Sequence, residues 1–98
     1  MTPPVADRLA RLSIQIAAEA EKHFVLVRDN CVALVERTES GYGSIGSTGM
    51  MTEAGLAYLV WRDRRPMLAG KSGEHPAEAA QVEAIRRFSE DLKSALAV

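Results

Sequence analysis

Apolar residues recur at three- and four-residue intervals near both ends of the chain, which is the spacing of one helical face. Near the start, the residues on this face are Val5, Leu9, Leu12 and Ile16. Thr2 fits the N-cap position, and Pro3 and Pro4 suit a first turn, where a missing N–H costs nothing. The spacing therefore predicts a helix over residues 3–22.

A second helical stripe occupies the last segment. Pro76 suits the first turn of a helix in this segment. The apolar members of the stripe are Val82, Ile85, Phe88, Leu92 and Leu96. Two pairs of opposite charge lie off the stripe at four-residue spacing, Glu83 with Arg87 and Arg86 with Glu90, and we expect both to form ion pairs on a solvated face. The pattern predicts a C-terminal helix.

Between these segments the chain becomes rich in β-branched residues. Residues 24–27 and 31–35 are apolar, and Asp29 and Asn30 between them tolerate the left-handed conformation of a tight turn. This pattern predicts a hairpin over residues 23–37. The alternative is that the first helix continues to about Arg37, because Phe24, Val27, Cys31, Leu34 and Val35 also fit helical spacing.

Two further strands are expected at residues 56–61 and 66–69, joined by a turn at 63–65. Residues 70–75 are expected to form a polar connection. Five of the seven glycines lie between residues 41 and 55, so this segment is either a glycine-interrupted strand or a mobile loop. The prediction is one α+β domain over residues 1–98, with an N-terminal helix, an antiparallel meander of four or five strands and a C-terminal helix.

The 98 residues and 10.6 kDa of the chain suit a single domain. Twelve basic against thirteen acidic residues leave a charge of −1, which makes nucleic acid an unlikely partner. Cys31 is the single cysteine, so an intrachain disulfide is excluded. We expect Cys31 to be a buried core residue. No apolar run approaches the roughly twenty residues of a membrane span, and Asp7, Arg8 and Arg11 are unlike a signal peptide. We expect a cytoplasmic protein.

Candidate catalytic chemistry is sparse. The segment 41–46 has the glycine spacing of a dinucleotide-binding fingerprint, but the residues after it are too few and too rich in glycine for the helix that this motif requires. His23 and His75 are the only histidines. We expect His23 at a helix C-terminus and His75 in a cap or turn. No metal site and no cofactor are predicted, and a non-enzymatic protein is favoured.

The strand at 56–61 is apolar on both faces, since Leu56, Tyr58 and Val60 alternate with Ala57, Leu59 and Trp61. If both helices lie on one side of the sheet, the other side needs a partner. The sequence therefore predicts a protein–protein interaction module, acting as a homodimer or as a small subunit of a larger assembly. The predicted interface residues are Tyr58, Val60, Trp61, Arg64 and Arg65.

An alternative function uses the glycine-rich segment 41–49 to bind a small ligand or a phosphate-containing metabolite, in a binding protein or a small enzyme. Hydroxyl groups and backbone amides would supply the contacts. The residues concerned are Tyr42, Gly43, Ser44, Gly46, Ser47 and Thr48. A third hypothesis is a weak nucleic-acid contact through Arg62–Arg65, against which the net charge argues.

Overall fold

An antiparallel sheet forms the centre of the molecule in the computed structural model, which describes residues 4–96. Helix α1 (Val5–Arg11) precedes the sheet and helix α2 (Ala79–Leu96) follows it. The seven strands lie in chain order: β1 (Gln15–Glu19), β2 (His23–Arg28), β3 (Cys31–Thr38), β4 (Gly41–Thr52), β5 (Gly55–Arg62), β6 (Arg65–Gly70) and β7 (Gly73–Pro76). The α+β class and the helix–meander–helix order are confirmed.

The predicted count of four or five strands is wrong, because β1 and β7 form the two edges of a seven-stranded sheet. Every residue of both edge strands is exposed, so no apolar alternation marks them in the sequence. Pro76 ends β7 instead of opening the last helix, which begins at Ala79. His75, predicted in a cap or turn, lies within β7.

The N-terminal helix is present, but its predicted extent over residues 3–22 is wrong. Helix α1 ends at Arg11, and the chain turns at Ser13, whose φ is 60°. The amide of Ile14 donates to the Leu9 carbonyl at 2.9 Å, and the Ile14 side chain is buried. Pairing with β2 and burial of Ile14 thus outweigh the helix propensity of the alanines that follow. Of the predicted helix start, Thr2 and Pro3 lie outside the described residues.

The hairpin over residues 23–37 is confirmed, and its helical alternative is wrong. His23, predicted at a helix C-terminus, is the first residue of β2. The turn residues Asp29 and Asn30 have φ angles of 47° and 70°, the left-handed pair that a two-residue hairpin requires. Asp63 and Arg64 repeat this geometry between β5 and β6, with φ angles of 51° and 67°.

The glycine-rich segment forms the twelve-residue strand β4. Its ladder with β3 shifts register twice, between Ala33 and Val35 and again between Val35 and Arg37. At each shift two residues of β4 oppose one residue of β3, which is a β-bulge. A bulge adds one residue to the two-residue repeat of a strand, so Gly43, Gly46 and Gly49 recur at intervals of three.

The sheet divides into two wings that meet near Gly49. The ladder between β4 and β5 covers only Gly49–Thr52 and Gly55–Tyr58. Beyond Tyr58, β5 pairs with β6 alone, while the bulged part of β4 pairs with β3. We call β1–β3 with the bulged part of β4 the first wing, and β5–β7 the second wing.

Both helices pack on the same side of the sheet. The core cluster combines side chains of α1 and α2 with residues of a single sheet face: Leu9, Ile14, Phe24, Leu26, Cys31, Ala33, Val35, Ala57, Leu68, Ile85, Phe88, Leu92 and Ala95. On the outer side of α2, Glu83 pairs with Arg87 at 3.3 Å and Arg86 with Glu90 at 2.8 Å, which confirms both predicted ion pairs.

Arg28 joins α1, β2 and α2. Its guanidinium donates to the Leu12 carbonyl at 3.0 Å and lies 2.8 Å from the Asp91 carboxylate. The same group stands over the Phe88 ring, 5.6 Å from the centroid. Within residues 4–96, neither helix has the length and apolar character that crossing a membrane requires.

Gly49→Ala tests the close approach of β4 and β5. A methyl group at Gly49 would overlap the backbone of Ala57 and Tyr58, whereas one at Gly46 would meet the Leu34 carbonyl at 3.2 Å. We expect Gly49→Ala to lower the free energy of unfolding by about 2 kcal/mol or more, and the control Gly46→Ala to lower it by less than about 1 kcal/mol. Urea unfolding measures both values, and equal losses would contradict the geometry.

Candidate interaction surface

The sheet face that points away from both helices is apolar across five strands, and we call it the open face. Strand register places Val27, Val32, Gly49, Tyr58 and Ala69 in one row, each directly opposite the next. Residues opposite one another in a ladder share a face. Since Leu26, Ala33 and Ala57 next to them point to the helices, this row points the other way.

A second apolar row continues along each wing. Val25 opposes Leu34 in the first wing, and Val60 opposes Met67 in the second. These four side chains are half-buried by their neighbours on the sheet, and none belongs to the core cluster or to the residues packed against it. The apolar surface of the open face therefore spans both wings.

No helix or strand within residues 4–96 covers the open face. The side chains around it leave Val32 only 4% exposed, while the Met51 side chain at one end is 51% exposed. With a strand spacing of about 4.8 Å and a two-residue repeat of about 6.8 Å, the nine positions of the apolar rows occupy about 300 Å². This area is in the range of the largest apolar patch on a monomer, and such a patch is often an interaction site.

Charged side chains lie at the end of the open face where the wings separate. His23 and Glu36 end the rows of the first wing, and Arg62 and Arg65 end those of the second. Arg62 pairs with Glu74 at 2.8 Å. Neither Glu36 nor Arg65 has an ion-pair partner among residues 4–96, so one carboxylate and one guanidinium remain available at this end.

The predicted interface residues divide between the two faces. Tyr58 and Val60 lie on the open face, Arg65 lies at its charged end, and Arg64 occupies the adjoining turn. Trp61 alternates to the helix side, where it is 57% exposed beyond the core. The structure therefore separates Trp61 from Tyr58 and Val60.

The predicted interface did not include the apolar residues that β2, β3 and β6 contribute to the open face. The residues it omitted are Val25, Val27, Val32, Leu34, Met67 and Ala69. Residues 24–27 and 31–35 do contain a signal for this surface. Each segment is apolar at consecutive positions, so its strand is apolar on both faces. That signal does not say which side the helices cover.

Of the six residues of the alternative ligand site, three line one depression, and Tyr42 and Thr48 lie on the helix side. Tyr42 packs against Phe24 with ring centroids 4.5 Å apart, and burial, with the nearby Glu19 carboxylate, raises the pKa of its phenol. Thr48 opposes Ala33, which points to the helices. On the open face, Ser44, Gly46 and Ser47 line a shallow depression of about 240 Å³ with His23, Leu34 and Glu36, and Gly43 lies beside Glu36. Ligand binding there stays a prediction.

A larger depression of about 760 Å³ lies on the helix side near the start of α2. Strands β4–β7 form one wall, with Thr52, Leu68 and His75 among the lining residues, and Gln81 of α2 lines the other. Within residues 4–96 no three side chains of His, Cys, Asp or Glu come close enough to hold a metal ion.

Cys31 is 3% exposed and lies on the helix-covered face, as predicted for a core residue. Burial raises the pKa of its thiol; Arg28 opposes this effect and Asp29 adds to it. A raised thiol pKa leaves less thiolate at any given pH, so Cys31 is a poor nucleophile.

Comparisons of this chain with protein-family models, with curated proteins and with solved structures found no match.

The burial of Cys31 predicts slow reaction with a thiol reagent. In the folded protein at about pH 8 we expect labelling at least tenfold slower than in the urea-unfolded chain, since both exposure and thiolate fraction are lower. The absorbance of the released reagent thiolate measures the rate. Equal rates for the folded and unfolded chains would contradict the placement of Cys31.

Proposed function

We propose that this chain is a non-enzymatic interaction module that acts as a homodimer in the cytoplasm, with the open face of one copy packed against that of another. The observation that carries the proposal is the uncovered apolar surface that crosses both wings, from Val25 and Leu34 to Val60 and Met67. Apolar sheet faces are ordinarily covered by a second layer.

The area of the open face limits how tightly a second copy can bind. Two such faces together would bury about 600 Å² of apolar sheet area, below the roughly 1,000 Å² of a specific protein interface, so the polar residues around the rows must add to the contact. Identical faces related by a twofold axis are the commonest basis of soluble oligomers. Because association costs translational and side-chain entropy, an interface of this size supports a reversible dimer, not a permanent one.

Face-to-face packing of two sheets also suits the residues present. Valine, leucine and methionine interdigitate across sheet interfaces about 10 Å apart. Tyr58 is the one aromatic residue in the central row, and aromatic side chains are frequent anchors of interfaces. A role as a small subunit of a larger assembly is the competing outcome, in which the chain alone stays monomeric.

Substitutions in the two wings test this proposal. We expect the wild-type chain, at roughly 100 µM, to have twice the 10.6 kDa chain mass by light scattering. Leu34→Glu in the first wing and Val60→Glu in the second should each shift the mass toward the monomer, because an unpaired buried carboxylate is costly. The matched control Trp61→Glu, on the helix side, should leave the dimer intact.

Thermal unfolding by circular dichroism verifies that each variant is folded. A wild-type protein that stays at the chain mass at this concentration would refute the homodimer. Dissociation by Trp61→Glu, with no effect of Leu34→Glu or Val60→Glu, would place the interface on the other face.

A further inference from the structure

We infer that two copies pack about a twofold axis that runs along β4, so that Glu36 of each copy faces Arg62 of the other and Arg65 lies beside that contact. The inference rests on the proposed homodimer and assigns its arrangement. It follows from where the two wings place their charged residues.

The two charged groups lie at the same end of the sheet, on opposite sides of β4. Strands β3 and β5 run in the same direction, because each strand of the meander is antiparallel to the next. Glu36 lies near the end of β3, and Arg62 is the last residue of β5. The first wing therefore carries a carboxylate at this end, and the second wing carries Arg62, which also pairs with Glu74, and Arg65, which has no ion-pair partner within residues 4–96.

A twofold rotation along β4 brings these opposite charges together. Strand β4 is the middle strand of the seven, so the rotation exchanges the wings and keeps each end of the sheet in place. The first wing of one copy then lies over the second wing of the other. Each dimer contains two such contacts between Glu36 and the Arg62–Arg65 hairpin.

The same rotation matches the apolar rows. It places Val32 of one copy over Tyr58 of the other, and Leu34 over Val60, since these pairs lie on opposite sides of β4. Large side chains of one wing thereby meet large side chains of the other.

The other face-to-face twofold arrangement runs across the strands and brings like charges together. It exchanges the ends of the sheet and keeps each wing over itself. Glu36 would then lie over the end that carries Asp29 and Arg65 over the end that carries Lys71, while Arg62 would lie over the end that carries Glu53, so two of the three pairs are like charges. Like charges set opposite each other across an interface are strongly unfavourable, so the axis along β4 is favoured.

Charge reversal tests the arrangement with the full chain. Glu36→Lys and the double variant Arg62→Glu/Arg65→Glu each set like charges opposite each other, and each should raise the dimer dissociation constant about tenfold or more. An equimolar mixture of the two restores opposite charges at both contacts and should form heterodimers about as tight as the wild type. Native mass spectrometry separates the species by mass.

Lys93→Glu, an exposed charge reversal on α2, is the matched control and should dimerise like the wild type. Arg65→Glu alone serves as the partner variant if the double variant does not fold. If the wild type dimerises but both reversals dimerise equally well, the axis along β4 is wrong while the proposed function stands. If the wild type is monomeric, the proposed function fails and the arrangement fails with it.

Discussion

The two helices cover only one face of a sheet that is apolar on both. Helix α1 has seven residues and α2 has eighteen, and both contribute to the single core cluster. On that side, the side chains of Leu26, Val35 and Phe88 are fully buried in the core. Burial of apolar area is the main favourable term in both folding and association. The open face, with Tyr58, Val60 and Met67, therefore retains surface that a second layer would stabilise.

The shape of the open face follows from β4. Its two bulges and its glycines bend the strand away from β5, so the sheet opens into two wings past Gly49. Gly46 of β4 carries no side chain on the open face, whereas Ser44 and Ser47 of the same strand do. A strand with ordinary pairing throughout would have produced a flat face with a central row of side chains. The strand order, with β3 on one side of β4 and β5 on the other, puts the acidic and basic ends on opposite sides of β4.

Local signals in the sequence predicted part of this structure. The apolar stripe of α2 and the left-handed turn pair Asp29–Asn30 each act over a few residues, so pattern alone identified them. The edge strands β1 and β7 have no apolar alternation, because both are fully exposed. Their pairing depends on neighbouring strands, which short-range patterns do not contain. Pairing of the following residues with β2 likewise ends α1 at Arg11, although the alanines beyond it favour a helix.

The candidate site was predictable to the extent that β5 is apolar on both sides. Which side stays uncovered depends on where both helices pack, and this separated Trp61 from Tyr58 and Val60. The glycine spacing suggested a phosphate-binding loop, but its physical cause is a pair of bulges. Spacings of three between glycines in a strand region are a signal for bulges that sequence reasoning can use.

Isotope-filtered nuclear Overhauser spectroscopy on a mixture of labelled and unlabelled chains tests the central claim most directly. The filter detects only contacts between copies. The account predicts cross-peaks from the Val32 and Leu34 methyl groups of one copy to Tyr58 and Val60 of the other. Intermolecular cross-peaks confined to the helix side, or none at a concentration well above micromolar, would contradict it.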